Sequence, residues 1–148
     1  MVLVERIPES VPLEQLTGRE PDPVVVTWQQ RRWTRGRLTT AGGRELGIAL
    51  ETGAVLNPGA VLCVEQDWYA VVKPAEEPTL AVTPSNSTEA LRVAYEVGNR
   101  HFPLAIEGGE LLVLDDPAMV QLLERLGVPW ERRNAVFAPI GIGRGHGH

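Results

Sequence analysis

The sequence predicts an α+β protein of two small domains, an all-β N-terminal domain and a ferredoxin-like C-terminal domain of order βαββαβ. Three observations predict it. Short apolar runs separated by Pro and Gly fill the chain up to about Lys73, helical periodicity begins only afterwards, and a proline-bracketed acidic segment lies between. The 148 residues suffice for one ordinary domain or two small ones.

In the first half, strands are expected at Val24–Gln29, Trp33–Thr39, Glu45–Leu50, Ala60–Val64 and Trp68–Val72. Gly42-Gly43 falls between two of them, where a hairpin needs residues that tolerate positive φ. Leu46, Ile48 and Leu50 alternate with Gly47 and Ala49, so that strand has one developed apolar face. No useful helical period occurs here. Lys73-Pro-Ala-Glu-Glu-Pro78 then reads as a stiff, solvated connector, which sets the domains at 1–74 and 79–148.

The second half opens with a short strand, Leu80–Val82. Asn86 or Ser87 is expected to cap a helix, with Glu89 placed for a capping box. Leu91, Ala94, Tyr95 and Gly98 repeat at the spacing of one helical face, and His101 falls on the same side. Leu104–Ile106 and Leu111–Leu114 flank Glu107-Gly-Gly-Glu110 as a hairpin. Asp115-Asp116-Pro117 starts a second helix with the stripe Met119, Leu122, Leu123 and Leu126, ended by Gly127. Trp130–Phe137 is the last strand, completing the split βαβ order.

Charge and composition exclude several functions. The 43% hydrophobic and 22% charged residues are the balance of a folded chain rather than a disordered one. A net charge of −5 opposes bulk binding to nucleic acid or an anionic membrane. No apolar run exceeds the five residues of Ala60–Val64, far short of the ~20 residues a spanning helix needs. Met1–Ser10 lacks a basic segment followed by an apolar core, so no secretory signal is expected and the protein is expected to be cytoplasmic. A single cysteine, Cys63, makes neither an internal disulfide nor a paired-thiolate metal site.

Few residues are equipped for chemistry. No nucleophile has a histidine near it in sequence, and Gly141-x-Gly-x-Gly is not followed by a helix as a phosphate loop would be. Glu107 and Glu110 read as solvated flanks of a turn, and Cys63 as a small hydrophobe among Val61, Leu62 and Val64. Gln29–Arg37, with Trp28 and Trp33, has the basic-aromatic look of a nucleic-acid strand, but exposed arginines on one strand face are the commoner explanation. The chain is not expected to be an enzyme.

The three histidines stand out. His101 ends an apolar stripe, where a core or interface residue is the usual explanation. His146 and His148 belong to Gly141-Ile-Gly-Arg-Gly-His-Gly-His148, a glycine-rich tail (about 139–148) with two unhindered imidazoles, which suit nickel, zinc and copper. One chain offers three imidazoles where a transition-metal site wants about four to six donors. A two-fold axis near His101 would bring two chains' imidazoles together, and a core of about 70 residues is thin enough to gain from such association.

Ala94-Tyr-Glu-Val-Gly98-Asn99-Arg100-His101-Phe-Pro103-Leu104, then Leu122-Leu-Glu-Arg-Leu126-Gly127, then the Gly/His terminus, resemble the UreE family of urease accessory proteins, which are nickel metallochaperones. Gly42-Gly-Arg-Glu-Leu-Gly47 and Gly53-Ala-Val-Leu56 extend the resemblance over nearly the whole chain, and Gly-Asn-Arg-His is its specific part. The resemblance implies a peptide-binding-like N-terminal domain and a C-terminal domain that dimerises and binds metal. It implies Ni(II), with Cu(II) or Zn(II) also binding in vitro, held between subunits by His101 with His146 and His148. The partners implied are a second copy, the urease accessory GTPase complex and apo-urease. A general peptide-binding or assembly module with incidental metal binding is the alternative. The chain departs from the family in Ala135-Val-Phe-Ala-Pro-Ile140, which lacks the acids that members often carry there, and in having only two tail histidines. Large storage capacity is therefore not expected, and because the extra internal histidines of some members are absent, no second metal site on the body is expected.

Overall fold

The computed structural model describes residues 1–141 and contains ten strands and three helices among them. The fold is α+β, and it divides into two compact units after Ala75.

The first unit holds two three-stranded sheets. One has the order β1 (Val2–Val4), β4 (Glu45–Ala49), β3 (Arg35–Thr39), with β1 parallel and β3 antiparallel to β4. The other has the order β2 (Glu20–Val26), β6 (Trp68–Pro74), β5 (Val61–Val64), again with one parallel and one antiparallel pair. Leu46, Ile48 and Leu50 point inward as their alternation requires, and join Val24, Val26, Leu62 and Val72 in one core.

Several local expectations are corrected. Strand β1 and the single turn of α1 (Leu13–Leu16) lie in a stretch that showed no pattern. The β2 strand begins at Glu20 despite two prolines. Trp28 and Gln29 leave the strand for a 3₁₀ turn at Gln30–Arg32, where the Gln30 side chain accepts from the Thr27 N–H and the Thr27 hydroxyl accepts from the Gln30 N–H. The connector is not a solvated spacer either. Strand β6 runs to Pro74 and β7 (Glu76–Val82) starts two residues later, leaving Ala75, whose N–H bonds the Val26 carbonyl.

The second unit follows the βαββαβ order. After β7 come α2 (Ser87–Asn99), β8 (Ala105–Glu107), β9 (Glu110–Leu114), α3 (Pro117–Leu126) and β10 (Trp130–Val136). The sheet order is β10-β7-β9-β8, antiparallel throughout, with β9 inserted between the two strands that α2 connects. Gly108 and Gly109, both at positive φ, make the two-residue β8–β9 turn that side chains would strain. Asp116 caps α3 by accepting from the Ala118 N–H, and Gly127 ends it in the left-handed conformation. Leu80, Val82, Leu111 and Val113 face both helices, meeting Val93 and Val97 of α2 and Met119, Leu122 and Leu123 of α3.

Helix α2 corrects the expected stripe. Its buried residues are Val93 and Val97, whereas Leu91 and Tyr95 are 71% and 68% exposed. The helix therefore carries two apolar stripes, and the sheet takes the valine one.

Candidate metal centre

His101 sits where α2 ends. Asn86 caps the start of the helix, its side chain accepting from the Glu89 N–H at 2.8 Å, while Glu89 reaches back to the Ser85 N–H, one residue before the cap. At the other end, the Phe102 N–H bonds the Val97 carbonyl at 3.2 Å and the His101 N–H bonds the Gly98 carbonyl at 2.9 Å. That pair of bonds is the Schellman termination, which places one residue in the left-handed region and normally gives the position to glycine. Here the residue is His101, at φ 61°, the one non-glycine residue with positive φ among those described. Holding a side chain there costs roughly 1–2 kcal/mol. A side chain at so strained a position points to a use for the imidazole. Pro103 follows the turn, the sequence signal that a helix has just closed.

The imidazole is exposed, so His101 is not a core residue. Around it, Arg100 is tied back to Glu96 at 2.6 Å, which directs that guanidinium along the helix. Exposed Leu91 and Tyr95 lie on the same helix, and exposed Ile106 lies on edge strand β8, on the helix-covered side of the sheet through its pairing with Leu111. Among the described residues no three His, Cys, Asp or Glu side chains converge as a metal cage. His146 and His148 lie outside the described residues.

From sequence, the residues just after β10 read only as lacking the family's acids and as the start of the tail, yet their packing bears on the site. Alternation along β10 puts Phe137 on the sheet face opposite the helices, with Ala81, Ala105 and Leu112, and all four are buried. Pro139 is buried as well, and the Ile140 N–H bonds the Leu104 carbonyl at 2.8 Å. The chain thus passes from beside one edge strand, β10, to the residue that precedes the other, β8. Gly141 begins the Gly/His segment one residue after Ile140, whose partner Leu104 is three residues after His101 in sequence. No pattern in Phe137–Ile140 announces this, because the contact is long-range and uses backbone atoms.

Two domains, the second a split βαβ fold whose first helix ends on a strained and exposed histidine, define a small α+β protein with one histidine among its described residues. The family models for the N-terminal and C-terminal domains of UreE urease accessory protein match residues 3–74 and 77–148. The chain is 34% identical over 144 residues to the urease accessory protein UreE of Synechococcus sp. (strain JA-3-3Ab), covering 97% of this chain and 91% of that one. It is 40% identical over 131 residues to UreE of Bordetella pertussis, covering 84% of this chain and 64% of that protein. The same 131-residue identity of 40% extends to the bifunctional urease accessory protein UreEF of Bordetella bronchiseptica, of which it spans 30%. The chain belongs to the UreE family of urease accessory proteins.

Proposed function

We propose that this protein is a cytoplasmic carrier of Ni(II) for urease maturation, holding the metal as cargo between two copies at a site centred on His101. Membership of the UreE family supports the role in maturation, and a carrier that holds metal as cargo needs no catalytic step of its own. The observation that carries the metal assignment is His101 itself, an imidazole kept exposed at a left-handed position that glycine would fill at less cost.

One His101 is an incomplete site, which leads to the dimer. Leu91, Tyr95 and Ile106 are exposed apolar residues on the elements nearest His101, and their burial against a second copy would bring two imidazoles to one axis. The tail supplies the remaining donors. His146 is six residues beyond Ile140, so at most about 20 Å of extended chain separates it from an anchor beside Leu104. Donors tethered so close add affinity through effective concentration while leaving the metal accessible for transfer. Copper and zinc compete for the same imidazoles, so delivery of nickel depends on the partners. Those partners are the urease accessory GTPase complex and apo-urease, and the fused relative named UreEF fits a protein that works in contact with other accessory factors. In this reading the C-terminal domain binds metal and dimerises, and the N-terminal domain receives partners.

Isothermal titration of the full-length protein with nickel, beside His101→Ala, tests this. One tight nickel per two chains, absent from the variant, is expected. One tight nickel per chain, or tight binding retained by His101→Ala, overturns it.

A further inference from the structure

We infer that the open edge of β3 is a docking site for an acidic, extended segment of a partner protein, which adds to the first sheet as a fourth strand. The inference does not rest on the nickel reading. Strand β3 is the last strand of its sheet, so one side of its backbone has no strand beside it. The Leu50 N–H bonds the Thr34 carbonyl and the Thr40 N–H bonds the Arg44 carbonyl, which fixes the alternation of the β3–β4 ladder. Even-numbered residues bond β4, and Arg35, Arg37 and Thr39 direct their N–H and C=O groups to the open edge. These three are also the exposed residues of one face.

Charge selects the occupant. The chain carries a net charge of −5, yet from Pro23 to Arg44 it contains no acid and five arginines. Two of these are accounted for within the fold: Arg31 is buried, and Arg44 pairs with Asp22. Arg35 and Arg37 stand on the β3 edge with no ion pair among the described residues, and Arg32 is exposed just before them. The only acid paired directly across the β3–β4 ladder, Glu45, faces Thr39 at the far end. An added strand would place every second side chain against the two guanidiniums, where carboxylates are favoured, and the alternate ones beside the half-exposed ring of Trp33. A second copy of β3 would set arginine against arginine, so it is not the occupant. A phosphodiester chain would gain the same guanidiniums but nothing from the free backbone edge, and would meet the field of an acidic protein.

The test uses full-length protein and a fluorescent peptide of alternating Glu and Val, about eight residues long. Fluorescence anisotropy is expected to show saturable binding, weakened at least about tenfold by the double substitution Arg35→Glu with Arg37→Glu, and reversed in preference toward a Lys-Val peptide. Amide exchange is expected to slow at Arg35, Arg37 and Thr39, a readout that a merely structural role of the arginines would not move. Circular dichroism of the variant establishes that it folds, and Arg35→Gln with Arg37→Gln serves if it does not. Three results would each overturn the inference: no binding of the Glu-Val peptide, equal binding of the Lys-Val peptide by the parent, or tighter binding of an oligothymidine. Loss of solubility in the variants without peptide binding by the parent would assign the arginines to protecting the edge instead.

Discussion

The Ile140 N–H bonds the Leu104 carbonyl at 2.8 Å, fastening the start of the Gly/His tail three residues from His101. Ile140 itself is 64% exposed, so its side chain contributes little to the fastening. The backbone bond does the anchoring, together with buried Phe137 and Pro139 before it.

Removing that N–H is therefore expected to loosen the tail without unfolding the domain. Ile140→Pro deletes the donor, and Ile140→Ala keeps it. Nickel affinity is expected to fall several-fold in the first and to stay near the parent value in the second. Deleting residues 145–148 sets the floor, weakening binding while leaving the His101 site measurable by titration.

The left-handed position of His101 separates stability from binding. His101→Gly relieves backbone strain and is expected to stabilise the fold by about 0.5–1 kcal/mol, net of the entropy that glycine adds to the unfolded chain. His101→Ala keeps the strain and gives no such gain. Both are expected to lose the tight nickel site. Urea denaturation beside metal titration checks the pair, and a destabilised His101→Gly would mean that the imidazole has a structural partner.

Assembly is expected to depend on the exposed stripe of α2. Leu91→Glu with Tyr95→Glu places charge on a face that no core residue shares, so the monomer should fold normally. Light scattering is expected to show a dimer for the parent and a monomer for the variant. An unchanged mass would remove Leu91 and Tyr95 from the interface.

Asp22 is expected to make the N-terminal unit acid-sensitive. Burial by itself would raise its pKa, but the Thr40 hydroxyl at 2.6 Å, Arg44 at 2.8 Å and the Gly42 N–H at 2.8 Å outweigh it and hold the carboxyl below its usual value of 3.8. A group depressed in the folded state stabilises fully above its unfolded pKa and loses that contribution as pH falls through the folded one. The loss is thus expected below about pH 4, and Asp22→Asn should abolish that acid dependence while costing about 2 kcal/mol at neutral pH. Gly42→Ala attacks the same site, since a Cβ there would stand 2.8 Å from the carboxylate. Urea melts at several pH values check both.

Much of this fold is legible in the sequence because its signals are local. Asn86, Asp116 and Gly127 bound the helices through bonds to residues only a few positions away, and Pro117 does so through its fixed φ. Gly108-Gly109 dictates the β8–β9 turn, and the alternation of Leu46, Ile48 and Leu50 dictates a buried strand face. The split βαβ order and the histidines as candidate ligands follow from the same short-range reading. Tertiary structure decided the rest. Helix α2 has two apolar stripes, and periodicity cannot rank Val93 and Val97 against Leu91 and Tyr95, because the choice depends on which one fits Leu80, Val82, Leu111 and Val113 of the sheet. Nor can spacing reveal that Asp22 meets Thr40 and Arg44, or that Ile140 meets Leu104. Turns, caps and alternation are set by the dihedrals of neighbouring residues, whereas burial and long-range bonds are set by surfaces that exist only after the chain has closed on itself.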